Sequence, residues 1–256
     1  MKKIIRISIY SLLAAVATLA VVYAQYKKPG SRPGNIHDKY LYMAKAYLTA
    51  TPGMKYNYSY RLFHNGAAVD SMIGRLEKWQ QDYVDSNNYY SKILSGLFFV
   101  SLNHKEKQAQ YMSIADLESK MGVSREQMFS EVISIPDSSF FTAGDLSVTK
   151  RTDDLITLTY VLKDTAAQMK QMVMVLNEKQ QSVEEITMQF RIFDNDGGME
   201  REPTQDRSRF SVLKIKHLQP INNADGATLF AKGYYTVQDN NIVLSQGYKG
   251  YKLSRL

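Results

Sequence analysis

The residues able to do chemistry are few and scattered. Four histidines, His37, His64, His104 and His217, lie far apart and stand beside turns or on the polar side of alternating runs. Each reads as a surface residue rather than a metal ligand or general base. Glu184 and Glu185 are adjacent carboxylates, but neighbours on a strand point to opposite faces and cannot work together as a glycosidase pair. The stretch DNDGG, Asp194 to Gly198, has the look of a calcium loop. It places Gly198 at the fifth position and Gln205 where a bidentate Glu belongs, so a hairpin turn explains it better. The chain contains no Gly-x-Ser-x-Gly, His-Glu-x-x-His, Walker loop or Gly-x-Gly-x-x-Gly. It also has no cysteine, which excludes disulfides, thiolate metal sites and a cysteine nucleophile. The sequence therefore reads as a non-enzymatic protein with no cofactor and no metal.

The positive signal is aromatic and thioether. There are 18 tyrosines, 10 phenylalanines and 12 methionines. In KYNYSYRL a period of two sets Tyr56, Tyr58, Tyr60 and Leu62 on one face and Asn57, Ser59 and Arg61 on the other. The same alternation aligns Ile156, Leu158, Tyr160 and Leu162, then Met172, Met174 and Leu176, then Ile186, Met188, Phe190 and Ile192. Ordinary packing and strand preference account for such faces. A binding function also fits. Tyrosine offers apolar area plus a hydroxyl that needs a partner, and methionine offers adaptable apolar surface. On that reading Tyr56, Tyr58, Tyr60, Leu62, Leu158, Tyr160, Met172, Met174 and Met188 line a groove for an amphipathic ligand.

The elements carrying these residues can be read in order. IHDKYLYMAKAYLTA has Tyr40, Met43, Ala44 and Tyr47 at helical spacing. The tyrosine strand follows, and Asn65-Gly66 marks a type I′ hairpin, whose central residues both need positive φ. The return strand runs through Ile73 and Leu76 and should hold the tyrosines in register. A meander continues through YYSKILSGLFFVSL, turns at NHKE and returns as KQAQYMSI. A helical insert over about 113–134 contains a capping-box pattern, Ser124 to Gln127, and an apolar face of Met128, Phe129 and Val132 before Pro136. Strands then resume, including one with Leu213 and Ile215 against polar neighbours, and the tail turns at Asp239-Asn240-Asn241. Regular alternation implies that one sheet face is buried and the other is wet. Eight or more strands of this kind curl or close. The expected fold class is mainly β (α+β): a strongly curved antiparallel sheet or unclosed half-barrel, with helices on its concave face. Residues 36–256 are expected to form one such domain, with Tyr60 and its neighbours under the first helix.

The N-terminus sets the compartment. MKKIIR is a basic leader, ISIYSLLAAVATLAVVYA is uncharged and apolar, and Val22 and Ala24 suit a cleavage site before Gln25. Residues 1–24 read as a signal peptide and 25–35 as a Pro/Gly linker, giving a periplasmic or exported protein. The alternative is an uncleaved inner-membrane anchor through residues 7–24. Of the net charge of +7, three cations (Lys2, Lys3 and Arg6) belong to the leader, and the rest is scattered. That pattern argues against nucleic acid as a partner.

The order of helix, tyrosine strand, Asn65-Gly66 hairpin, Gly74-containing strand, meander, helical insert and the late segment KQMVMVLNEKQQSVEEITMQFRIFDNDGG resembles the periplasmic lipoprotein carriers of the Lol system. The resemblance covers roughly Ile36 to Leu218. It implies an unclosed barrel capped by helices, with acyl chains of lipids or lipoproteins in its cavity. The family's carrier has an arginine followed by proline on an early strand; GRLEKWQQDY has Arg75 without proline, so that lid lock is not implied here. The segment Ala227 to Leu256 has no counterpart in the family. The expected function is binding of a lipid, an acyl chain or another amphipathic ligand. The alternative is an accessory component of an envelope or secretion assembly that contacts other envelope proteins, with the Tyr-rich tail as a candidate docking edge.

Overall fold

The computed structural model describes residues 36–49, 53–80, 82–121, 144–163, 169–194, 204–221, 233–239 and 241–256. Helix α1 (Ile36–Thr49) leads into β1 (Gly53–His64) and β2 (Ala67–Trp79). The meander continues through β3 (Asp82–Asn87), β4 (Tyr90–Ser95), β5 (Phe98–Asn103) and β6 (Gln108–Ser113) into helix α2 (Ile114–Met121). Strands β7 (Gly144–Lys150), β8 (Leu155–Leu162), β9 (Met169–Asn177), β10 (Ser182–Asp194) and β11 (Thr204–Ile221) follow. The tail holds β12 (Tyr235–Gln238), β13 (Asn241–Leu244) and β14 (Lys252–Arg255).

Twelve strands form one sheet in the order β14-β6-β5-β4-β3-β2-β1-β11-β10-β9-β8-β7, while β12 and β13 pair separately. The end strands β14 and β7 are not paired with each other, so the sheet does not close. The fold class read from the sequence is the one observed: mainly β, with a large unclosed sheet and two α-helices among the described residues. Contacts divide the chain into two compact units. In described elements, unit one holds α1, residues 60–71, β7 to β10 and β11 up to Lys214. Unit two holds residues 53–59, β2 from Met72, β3 to β6, α2, β11 from Ile215, and the tail.

In unit one, β8, β9 and β10 pair antiparallel, so their inward residues form cross-strand rows. Tyr160, Met172 and Met188 make one row, Leu158, Met174 and Ile186 the next, and Ile156, Leu176 and Val183 the third. All nine are buried. Val183 and Ile186 are three apart, and strict alternation would send them to opposite faces. A bulge between Val183 and Glu185 restores the phase, so both point inward. Helix α1 buries Tyr40, Leu41 and Ala44. Its Lys39 Nζ meets Glu178 Oε1 at 2.5 Å, in the turn after β9.

In unit two both sheet faces are covered. Ile93 and Leu94 are consecutive, point opposite ways, and are 0% and 1% exposed. One face packs Trp79, Val84, Ile93, Val100, Leu102 and Tyr111 against Tyr235 and Ile242 of the β12–β13 hairpin. The other packs Leu94 and Met112, with Tyr83 and Phe99, against Ile114 and Leu117 of α2. The expectation of one wet face therefore fails here, because the tail covers what the meander alone would expose. Consecutive buried residues such as Ile93-Leu94 and Tyr111-Met112 are the mark of two covered faces.

Several boundaries differ from the sequence reading. YYSKILSGLFFVSL is two strands, turned at Gly96 (φ 61°) and Leu97. Leu97 is the turn's exposed apolar residue and disguises the break. The return strand does run through Ile73, which is 66% exposed, and Leu76, which is buried. Strand β7 is not among the strands read from the sequence. The tail ends in a strand, β14, that pairs parallel with β6. Residues 1–35, most of the helical insert with its capping box, and the Asp196-Gly197 turn lie outside the described residues.

Candidate functional site

The tyrosine strand alternates as its sequence implies. Tyr56, Tyr58, Tyr60 and Leu62 are all buried, whereas Asn57 and Arg61 are exposed. The turn that fixes this phase has Asn65 at φ 51° and Gly66 at φ 79°, the two positive angles that type I′ geometry needs. Tyr60 and Leu62 belong to unit one, as do Leu158, Tyr160, Met172, Met174 and Met188, while Tyr56 and Tyr58 belong to unit two. All nine candidate residues are buried.

In unit two Tyr58 sits in a buried polar cluster. Its hydroxyl donates to Asp85 Oδ1 at 2.6 Å and accepts from Asn87 Nδ2 at 3.1 Å. The Tyr90 hydroxyl also bonds the Asp85 carboxylate. Asn87 Oδ1 accepts the backbone N–H groups of Tyr89 and Tyr90 at 2.8 and 3.0 Å, which fixes the β3–β4 turn. Tyr58 reaches Asp85 because Gly74 leaves room. A Cβ on Gly74 would lie 2.5 Å from Tyr58 Cζ and 2.8 Å from the Ser86 carbonyl oxygen. Tyr160 has a similar seat in unit one, where a Cβ on Gly144 would lie 2.6 Å from its ring. An aromatic ring laid over a cross-strand glycine covers backbone that would otherwise be bare.

Electrostatics follow from the burial. Loss of water pushes the Asp85 carboxyl above its usual range, and the hydrogen bonds from Tyr58 and Tyr90 and the charge of Lys92 pull the other way. Burial, reinforced by the nearby Asp85 charge, pushes the Tyr56, Tyr58 and Tyr90 hydroxyls far up, so they remain protonated donors. Asp85 faces Leu76 on β2 and Lys92 on β4 across the sheet.

His104 has defined partners. Nε2 lies 2.9 Å from Ser91 Oγ, which lies 2.7 Å from Ser86 Oγ; Nδ1 lies 2.9 Å from the Tyr251 hydroxyl. Burial holds the imidazole below its ordinary pKa. Ser91 is fully buried, so this chain of groups has no open nucleophile and reads as a clasp. It joins β3, β4 and β5 to the tail, where Tyr248 stacks on Tyr234 with centroids 5.7 Å apart and meets Tyr251 edge-on at 5.3 Å. The tyrosines expected to form a docking edge thus pack inward, on the core that includes Tyr235. His64 and His217 are exposed, as expected of surface residues. Among the described residues no three His, Asp or Glu side chains converge to hold a metal.

Sequence reasoning found Tyr58 but missed its neighbours Asp85, Tyr90 and Lys92, and it missed the partners of His104. The available signal was DYVDSNNYYSK, a strand pair whose inward positions alternate between apolar and polar.

No protein-family model matches the chain, and no curated protein does. Several solved structures are similar to it. A LolA superfamily protein of Nitrosomonas europaea is 12% identical, with 76% of this chain and 96% of that one covered and a TM-score of 0.29. An uncharacterised conserved protein of Thermus thermophilus is 6% identical over 87% and 100%, with a TM-score of 0.39. An outer membrane lipoprotein-sorting protein domain of Vibrio parahaemolyticus is 10% identical over 72% and 92%, with a TM-score of 0.28. No helix among the described residues is long and apolar enough to cross a membrane.

Proposed function

We propose that this chain is a non-enzymatic envelope protein that binds an amphipathic ligand, a lipid or the acyl chain of a lipoprotein, on the apolar faces of its sheet. The observation that carries this reading is the ladder of unit one. Three thioethers (Met172, Met174 and Met188) stand in neighbouring cross-strand rows with Leu158 and Tyr160. Unbranched, polarizable side chains can repack around chains of different length, which branched residues in a fixed core do less well. Tyr60 and Leu62 extend the apolar set of the same unit, and Tyr56 and Tyr58 give unit two its own. The basic leader and apolar run of residues 1–24 support export to the periplasm.

Thermal melts with and without a short-chain phospholipid test the reading. A ligand held only by the folded state stabilises by about 2.7 kcal/mol at a hundredfold excess over Kd. The wild type should melt several degrees higher with lipid, and Tyr60→Ala should lose most of that gain. A wild type whose melting temperature ignores saturating lipid would contradict the proposal. The accessory-component reading predicts instead a stable complex with another envelope protein and no lipid response.

A further inference from the structure

One end of the unit-two sheet carries a row of exposed side chains. Backbone bonds set its parts side by side: Asn88 N–H donates to the Ile73 carbonyl at 3.3 Å, His104 N–H to the Tyr89 carbonyl at 2.9 Å, and Lys252 N–H to the Lys107 carbonyl at 2.8 Å. Ile73 of β2, the β3–β4 turn, the β5–β6 turn and the start of β14 therefore share this end. Ile73 is 66% exposed and Tyr89 is 42% exposed. Lys105, Lys107, Lys249 and Lys252 are all exposed. Among the described residues none of these four lysines joins an ion pair. Over residues 104–107 and 249–252 the charges are these four cations against the single anion Glu106.

The cations stand on fixed backbone. Asn103 Oδ1 accepts the N–H groups of Lys105 and Glu106 at 3.1 and 3.0 Å, as Asn87 Oδ1 does in the neighbouring turn for Tyr89 and Tyr90. Tyr251, between Lys249 and Lys252, is tied to His104. Like charges held together without counter-charges give a standing positive potential. A small soluble anion would need only the lysines and would leave Ile73 and Tyr89 without a role. A bilayer surface uses both: lysine keeps its ammonium among the phosphates while its stem crosses apolar surface, and tyrosine suits the headgroup level. The row is built from turn tips rather than a groove, which suits a flat, fluid surface better than a peptide.

We infer that this end of unit two docks on an anionic phospholipid bilayer, with the four lysines meeting phosphates and Ile73 and Tyr89 entering the headgroup layer. The inference goes beyond ligand binding on the sheet faces, because it assigns the surface on which the protein stands at a membrane.

Co-sedimentation of the protein, as exported from cells, with vesicles gives the test. One vesicle is phosphatidylcholine, and the other is equal parts phosphatidylcholine and phosphatidylglycerol. The wild type should bind the anionic vesicle and release it at about 1 M salt, where the Debye length falls to about 3 Å. Lys249→Gln with Lys252→Gln should weaken that binding roughly 25-fold, about fivefold per lysine, while folding normally by circular dichroism. Lys170→Gln with Lys179→Gln, which removes two exposed lysines of unit one, should bind as the wild type does. Ile73→Ser should weaken binding without changing its salt dependence. Equal wild-type binding to both vesicles, equal losses in the two double variants, or no binding to the anionic vesicle would overturn the assignment. Monomeric dihexanoyl phosphatidylcholine reads the sheet faces separately. A wild type that gains no melting temperature from it while still binding anionic vesicles would contradict ligand binding and support docking.

Discussion

Gly74 and Tyr58 act as one unit. A Cβ added at Gly74 would stand 2.5 Å from the ring, so Gly74→Ala must expel Tyr58 from its seat or bend β2 away from β3. Overpacking of this kind costs about 1–3 kcal/mol, and loss of the Tyr58–Asp85 bond adds to it. Chemical denaturation of Gly74→Ala, Tyr58→Ala and the double variant should show strong coupling, because once the ring is gone the methyl meets only backbone. Additive effects would mean that the ring does not depend on that glycine.

The Asp85 carboxyl is raised by burial, so the folded state holds its proton more tightly than the unfolded chain does. The stability contributed by that proton is full below the ordinary carboxylate pKa and is lost as pH rises through the raised folded value. Asp85→Asn should remove this part of the pH dependence and leave stability near neutral pH unchanged or higher. Melting temperatures from acid to neutral pH check it; a variant whose curve parallels the wild type would contradict the account.

At the scale of elements, the Asn65-Gly66 hairpin was legible, whereas the β4–β5 turn and the bulges were not. Asn65-Gly66 announces its turn because few residues accept positive φ, and Gly66→Ala should cost about 1 kcal/mol by equilibrium unfolding for the same reason. The phase shifts are hidden. Val183 and Ile186 both lie inward only through a bulge, and His217, at φ 54°, stands between Ile215 and Leu218, which are both buried although three residues apart. Strict alternation assigns such pairs to opposite faces, and no residue type in either stretch marks the extra position. The parallel addition of β14 to β6 was equally unreadable, since its four residues are exposed and carry no apolar pattern. That strand is held by its pairing with β6, the His104–Tyr251 contact, the bonds from the Lys252 and Leu256 N–H groups to the Lys107 and Tyr111 carbonyls, and the Arg255–Asp116 ion pair.

The clasp has a pH consequence. His104 is held below its ordinary pKa, so the folded state favours the neutral ring. Stability from this group is present above the unfolded pKa and is lost as pH falls through the folded value. The protection of the Lys252 and Leu256 amides, both bonded to the sheet, relative to their intrinsic exchange rates should fall below about pH 6.5, the unperturbed histidine value. His104→Gln should flatten that response. Protection that does not change with pH would remove His104 from the docking of the tail.

For the whole molecule, period-two apolar runs were enough to read a large unclosed sheet with an early helix, because side-chain alternation is the strongest trace a half-buried strand leaves. The same runs put Tyr56, Tyr58, Tyr60 and Leu62 on one face, and all four are buried. The polar cluster at Asp85 escaped, because a carboxylate inside a strand looks in sequence like any solvent-facing residue; only its pairing with Leu76 and Lys92 and the reach of Tyr58 distinguish it. Likewise the tail's aromatics read as a surface feature in sequence, whereas Tyr235, Tyr248 and Tyr251 pack against the core.

If the apolar faces of this sheet hold a lipid, the lipid should survive purification. Native mass spectrometry of the protein purified from cell envelopes without detergent, followed by lipid extraction from the same sample, tests this most directly. The expected result is a bound species at the mass of a phospholipid or lipoprotein acyl group, lost on denaturation and reduced in Tyr60→Ala. A homogeneous ligand-free mass, unchanged after incubation with phospholipid vesicles, would contradict it.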